Sequence, residues 1–179
     1  MTDAKIDALP VVLLTETEIA SRVEALAQAI APHVDDQTTV ICLLTGGLWF
    51  CADLTRALSR LGRHVGFDAL WLAAYGDARA SLGRCEVRAD LQRPLAGRTA
   101  LVVDDVFDTG LSLSEAARLV RDAGAGKVLT SVFASKPWPT QRAIEPDFVG
   151  WEAPARFLVG YGMDVAGAYR GLPYIGALD

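Results

Sequence analysis

In Leu101-Val102-Val103-Asp104-Asp105-Val106-Phe107-Asp108-Thr109-Gly110-Leu111-Ser112 an apolar strand runs straight into two adjacent carboxylates, then a third, then a Thr-Gly-x-Ser turn that opens a helix. In an open α/β sheet, ligands bind at the carboxyl ends of the strands. A helix N-terminus offers unpaired N–H groups and the positive end of its dipole, which suits phosphate. Gly110 lets the backbone approach a ligand closely, and Thr109 and Ser112 add hydroxyl donors. A plainer reading makes Asp108 an N-cap and Asp104 and Asp105 solvated charges. Capping needs no acidic pair directly after an apolar run, however, and neighbouring carboxylates repel unless something cationic is near.

The flanking sequence supplies the sheet. Thr15-Glu16-Thr17-Glu18 has the spacing of a capping box. Ile19, Val23, Leu26, Ala27 and Ile30 follow at helical spacing and Pro32 ends the run, so a helix is expected from about residue 16 to 31. Residues 38–44 (TTVICLL) read as a buried strand broken by Thr45-Gly46-Gly47. Residues 48–61 read as a helix, stretches of 64–75 and 98–103 as strands, 111–123 as a helix and 127–134 as a strand. Nearly continuous apolar strands alternating with amphipathic helices predict an α/β fold, an open parallel sheet with helices on both faces. The polar stretch between Tyr75 and Cys85 is an inserted loop. Pro137, Pro139, Pro146 and Pro154 make residues 137–156 irregular, so this stretch is expected to wrap the sheet as a hood and not extend it. The whole of 1–179 is expected to be one domain, its small hood drawn from the N-terminus and about 137–179.

Composition excludes several classes. The chain has 179 residues, 51% of them hydrophobic and 22% charged, which rules out intrinsic disorder. No apolar run approaches the roughly 20 residues needed to span a bilayer, and residues 10–14 are too short for a signal-peptide core. A net charge of −5 argues against a broad nucleic-acid-binding face. Cys42, Cys51 and Cys85 form no C-x-x-C pair, and the histidines are only His33 and His64, so a zinc site is not expected. Buried, reduced cysteines fit a cytoplasmic location.

Residues 102–112 closely resemble the phosphoribosyl-pyrophosphate (PRPP) signature of the type I phosphoribosyltransferases. Two further stretches resemble the hypoxanthine-guanine branch. One is Pro146-Asp147-Phe148-Val149-Gly150-Trp151-Glu152-Ala153-Pro154. The other, Phe157-Leu158-Val159-Gly160-Tyr161-Gly162-Met163-Asp164 with Tyr169-Arg170-Gly171-Leu172-Pro173-Tyr174-Ile175-Gly176, is similar to the C-terminus of bacterial members. The resemblance runs from about residue 38 onward. Gly126-Lys127-Val128 lacks the rest of a Walker A loop, and Gly160-Tyr161-Gly162 lacks the third glycine of a dinucleotide fingerprint.

The resemblance implies transfer of the 5-phosphoribosyl group of PRPP to N9 of a 6-oxopurine, hypoxanthine first and guanine second, with release of pyrophosphate and Mg²⁺ as cofactor. It implies that Asp104 and Asp105 hold the ribose hydroxyls and the metal's shell, and that Asp108 is the general base at purine N7. Residues Thr109, Gly110, Leu111 and Ser112 would clamp the 5-phosphate, and Thr45, Gly46 and Arg170 would serve pyrophosphate. Lys136 would meet the 6-oxo group, Phe148 would stack on the base, and Val149 would read its edge. Ala74 and Tyr75 would begin a closing loop. A dimer or tetramer is implied, with no nucleic-acid or membrane partner.

Three positions depart from the family pattern. Thr45 replaces a common lysine, Ala74 replaces the serine of a Ser-Tyr pair, and Ala155, followed by Arg156, stands where relatives carry an aspartate expected near the second metal. Two other functions therefore stay open: a regulator of this fold that senses PRPP or nucleotides without turnover, and a transferase for another base.

Overall fold

The structure, a computed structural model, describes residues 9–74 and 85–178. Six strands form the central sheet in the order β4-β3-β2-β5-β6-β7. These are β2 (Thr39–Leu44), β3 (Gly66–Ala74), β4 (Cys85–Ala89), β5 (Thr99–Phe107), β6 (Lys127–Ser135) and β7 (Phe148–Glu152). β3, β2, β5, β6 and β7 pair in parallel, while β4 turns back antiparallel on β3, so the sheet is mixed and mostly parallel.

Three helices cover it. The first, α1 (Glu16–Ile30), begins with the expected capping box: the Glu18 amide donates to Thr15 Oγ1 and the Thr15 amide donates to Glu18 Oε2 at 2.8 Å. Its buried stripe is Ile19, Val23, Leu26, Ala27 and Ile30, the periodic set read from the sequence. With α2 (Leu48–Arg60) it packs on one sheet face against Val40, Cys42, Leu101, Val103 and Phe133. On the other face, α3 (Leu111–Asp122) packs Leu113, Ala116 and Val120 against Ile41, Ala100, Val102 and Val132. Alternate residues of β2 and β5 thus enter different cores, as the period of two requires. Phe50, Phe133 and Tyr161 meet edge-on, with ring centroids 5.4 and 5.1 Å apart.

A second sheet, antiparallel and in the order β1-β9-β8, is built from β1 (Val11–Leu14), β8 (Phe157–Val159) and β9 (Ile175–Leu178). It is the hood, and Leu14, Leu158 and Ile175 tie it to the α1/α2 core. The expectation for 137–156 is corrected here, because β7 extends the central sheet. The prolines flank the strand instead of interrupting it, and Asp147 docks its start. Asp147 Oδ2 accepts from the Thr130 amide at 2.8 Å and the Thr130 hydroxyl at 2.9 Å. Strand β5 also runs further than its apolar residues indicate, carrying Asp104 and Asp105 inside it. Tyr75 and the inserted loop lie outside the described residues, and Ala74 ends β3. Among the described residues no helix is long and apolar enough to cross a membrane.

Candidate active site

Strand β2 pairs with β5 only as far as Cys42 opposite Val103, so the next residues of β5 emerge beyond its neighbour's ladder. Those residues are Asp104 and Asp105. The chain leaving β2 folds back over them at Gly46, where an added Cβ would lie 2.0 Å from Asp105 Oδ2, so only glycine fits. Gly46 is covered in turn by Gly162 of the hood segment, where a Cβ would come within 2.0 Å of the Gly46 carbonyl oxygen. The two carboxylates are supported by local amides: Asp104 Oδ1 accepts from the Asp105 amide at 3.0 Å, and Asp105 Oδ1 accepts from the Val106 amide at 2.8 Å. Burial pushes both carboxyls above the usual carboxylate range, Asp104 the further because Asp105 repels its charge. Asp105 is held back by hydrogen bonding and by the positive field of Arg170.

After Phe107 the chain turns through Asp108 and Thr109 to Gly110, whose φ of +81° caps α3 in the left-handed region that favours glycine. Thr109 Oγ1 accepts from the Leu111 amide at 3.3 Å. Beside this turn β6 ends at Ser135 and delivers Lys136, whose amide donates to the Phe107 carbonyl at 3.0 Å. Its ammonium lies 3.3 Å from Asp108 Oδ2. From the hood, Arg170 pairs with Asp164 at 2.7 Å and donates to the Gly162 carbonyl.

These groups border one cavity of about 400 Å³. Asp104, Asp105, residues 108–112, Gly46, Arg170, Lys136, Phe157 and Leu158 all line it. Of the residues singled out from the sequence, Gly46, Asp104, Asp105, Asp108, Thr109, Gly110, Leu111, Ser112, Lys136 and Arg170 are brought together. Thr45 is exposed and does not border the cavity.

Phe148 and Val149 do not border it either, which corrects their expected place at the base. The Phe148 ring packs beside His33, centroids 5.6 Å apart, and Val149 joins the α3-side core. The corresponding wall belongs to Phe157, which is 51% exposed, and Leu158. Both pairs read as an aromatic followed by an aliphatic residue entering a strand, so sequence alone does not separate them. Exposure of a large aromatic beside polar groups is the distinguishing signal. Ala155 is exposed and does not line the cavity, whereas the hood carboxylate Asp164 does.

A sheet presenting buried carboxylates beside a phosphate-sized helix N-terminus, roofed by a hood, is the layout of an α/β transferase for a phosphorylated sugar. The model of the phosphoribosyl transferase domain matches residues 13–166. The hypoxanthine-guanine phosphoribosyltransferase of Bacillus subtilis is 36% identical over 168 residues, 93% of this chain and 92% of that protein. Among solved structures, a hypoxanthine-guanine phosphoribosyltransferase from Bacillus anthracis superposes with a TM-score of 0.88 at 26% identity, covering 96% of this chain and 100% of that one. A Trypanosoma cruzi hypoxanthine phosphoribosyltransferase in complex with the product IMP gives 0.86 at 28% identity, over 94% and 93%. The chain therefore belongs to the phosphoribosyltransferase family, within its hypoxanthine-guanine branch.

Proposed function

We propose that this protein transfers the 5-phosphoribosyl group of PRPP to N9 of hypoxanthine, releasing pyrophosphate and IMP in purine salvage. The observation that carries the proposal is the Asp108–Lys136 pair at 3.3 Å, which lines the same cavity as the turn of residues 109–112 and as Phe157 and Leu158. Ammonium donates and carboxylate accepts, and the 6-oxo and N7 edge of a hypoxanthine asks for one of each.

Residue roles follow from placement. The amides and hydroxyls of residues 109–112 hold the 5-phosphate at the N-terminus of α3. Lys136 donates to the 6-oxo group, Phe157 and Leu158 flank the base, and Asp108 takes the purine proton as the glycosidic bond forms. Arg170, already paired with Asp164, is within reach of a departing diphosphate. Bond breaking builds positive charge on the ribose, and Asp104 and Asp105 sit where that charge and the ribose hydroxyls would lie.

The residues fit Mg²⁺. Asp105, buried, and Asp104, half-buried, would hold it, since desolvation opposes the ionisation of both and a hard cation would favour it. When bound, the metal neutralises diphosphate and helps it depart. A dimer or tetramer in the cytoplasm is the expected state.

The test is pyrophosphate release from PRPP and Mg²⁺ with a panel of bases. Turnover with hypoxanthine, and none with adenine or pyrimidines, is expected. If none of the bases elicits pyrophosphate release, the fold serves as a sensor of PRPP or nucleotides without turnover.

A further inference from the structure

We infer that Arg142 is the positioning residue for the purine-reading pair, setting the separation of Asp108 and Lys136 without touching substrate. The inference rests on the function proposed above and deepens it. The β5–β6 ladder reaches Phe107 opposite Ser135, and the Lys136 amide bonds the Phe107 carbonyl, but the side chains of Asp108 and Lys136 lie beyond the last paired residues. Arg142 joins them. Its Nε donates to the Asp108 carbonyl at 2.8 Å, and its Nη2 donates to the Lys136 carbonyl. Its guanidinium lies flat enough over the Phe107 ring for the carbon to sit 4.2 Å from the centroid, so it is held from a third direction by the residue before Asp108. Only 9% of the side chain is exposed, and the carboxylate paired with it, Glu145, stands 3.7 Å away and is 67% exposed.

A guanidinium suits this place because its planar fork serves two carbonyls while its face stacks on a ring. An ammonium can do one of these at a time. The two groups it aligns read one purine edge, so an error in their spacing is felt first by the base; Arg142 also passes Gly110, where an added Cβ would lie 3.6 Å from its Cδ, so PRPP feels the change second. Arg142 does not border the cavity itself.

The R142A variant is expected to lose on the order of 10²-fold in kcat/KM for hypoxanthine, the scale that a displacement of about 1 Å carries. Its KM for PRPP should rise by much less than the loss for hypoxanthine, since the phosphate is held by the amides and hydroxyls of 109–112 and not by the aligned pair. R142K, which keeps charge and stem, should lie nearer R142A than wild type and covers the case in which R142A does not fold. Equal losses for PRPP and hypoxanthine, or wild-type kinetics in R142K, would overturn the inference. Amide exchange reads the restraint without turnover: protection at residues 107–109 and 136 should fall selectively in either variant. Unchanged protection there would also overturn it. Absence of turnover in the wild type, by contrast, would count against the proposed function while leaving the exchange result to decide the role of Arg142.

Discussion

At the scale of single residues, Asp108 and Lys136 divide the reading of the base between an acceptor and a donor. D108N keeps the size of the side chain and an oxygen for the turn but cannot take a proton. Turnover with hypoxanthine should fall about 10²- to 10⁴-fold, with PRPP binding retained, as steady-state kinetics in both substrates will show. Wild-type turnover in D108N would reduce Asp108 to a turn residue. Adenine places an amino group where the 6-oxo group belongs, leaving the Lys136 ammonium facing a donor. Discrimination between the bases should reach roughly 10⁴- to 10⁵-fold, and K136A should lose it by losing hypoxanthine and not by gaining adenine. Comparable efficiency with adenine and hypoxanthine in the wild type would refute this role. Asp108 was legible from the acidic run that ends an apolar strand and opens a turn, whereas Lys136, by itself an ordinary solvated lysine at a strand end, was legible only through the family resemblance. Phe157 was not, because an aromatic entering a strand has the same spacing whether it faces a core or a cavity, and Phe148 nine residues earlier carries an identical local pattern.

At the scale of elements, the helices were read nearly to the residue, since the Thr15 capping box and the α1 stripe are local signals that the tertiary structure has no reason to override. Strands were less legible at their ends. The polar half of β5 belongs to the sheet because Val106 and Phe107 pair with Ala134 and Ser135, which no inspection of Asp104 and Asp105 reveals. β7 was hidden by prolines on both sides, and its docking depends on Asp147 meeting Thr130 seventeen positions away. Arg142 gave no signal at all, being one cation in an irregular stretch until the two strand ends that it joins are seen together. The turn after β2 carries its own prediction. G46A would drive a methyl group into the Asp105 carboxylate, so the variant should be destabilised by about 1–3 kcal/mol. Because Asp105 is displaced, the PRPP and Mg²⁺ concentrations needed for half-saturation should also rise. A thermal melt and a paired PRPP–Mg²⁺ titration measure the two effects. Wild-type values in both would show that the turn can move away from Asp105.

At the scale of the whole molecule, the hood is fastened by packing and by one buried phenol. The Tyr161 hydroxyl donates to Asp53 Oδ2 on α2 at 2.9 Å, and burial together with the Asp53 charge pushes the phenol far above its ordinary value of 10.0. The unfolded chain therefore gives up this proton first. The contribution is whole below pH 10.0 and is lost as pH rises above it. Y161F should cost about 1 kcal/mol near neutrality and show a shallower loss of stability above pH 10.0, as urea midpoints on either side of that value will show. Identical pH slopes for Y161F and wild type would mean that the phenol ionises equally in both states. The glycine-on-glycine contact between residues 46 and 162 has a consequence for synthesis. The cavity draws its walls from Leu44 through to Arg170, and a ribosome needs on the order of ten seconds to deliver that stretch. Until Gly162 emerges, the turn at Gly46 has no roof and Arg170 has not arrived to face Asp105. A nascent chain thus carries its paired carboxylates in a half-built cleft from the emergence of Asp105 until that of Arg170, about a third of the chain's length.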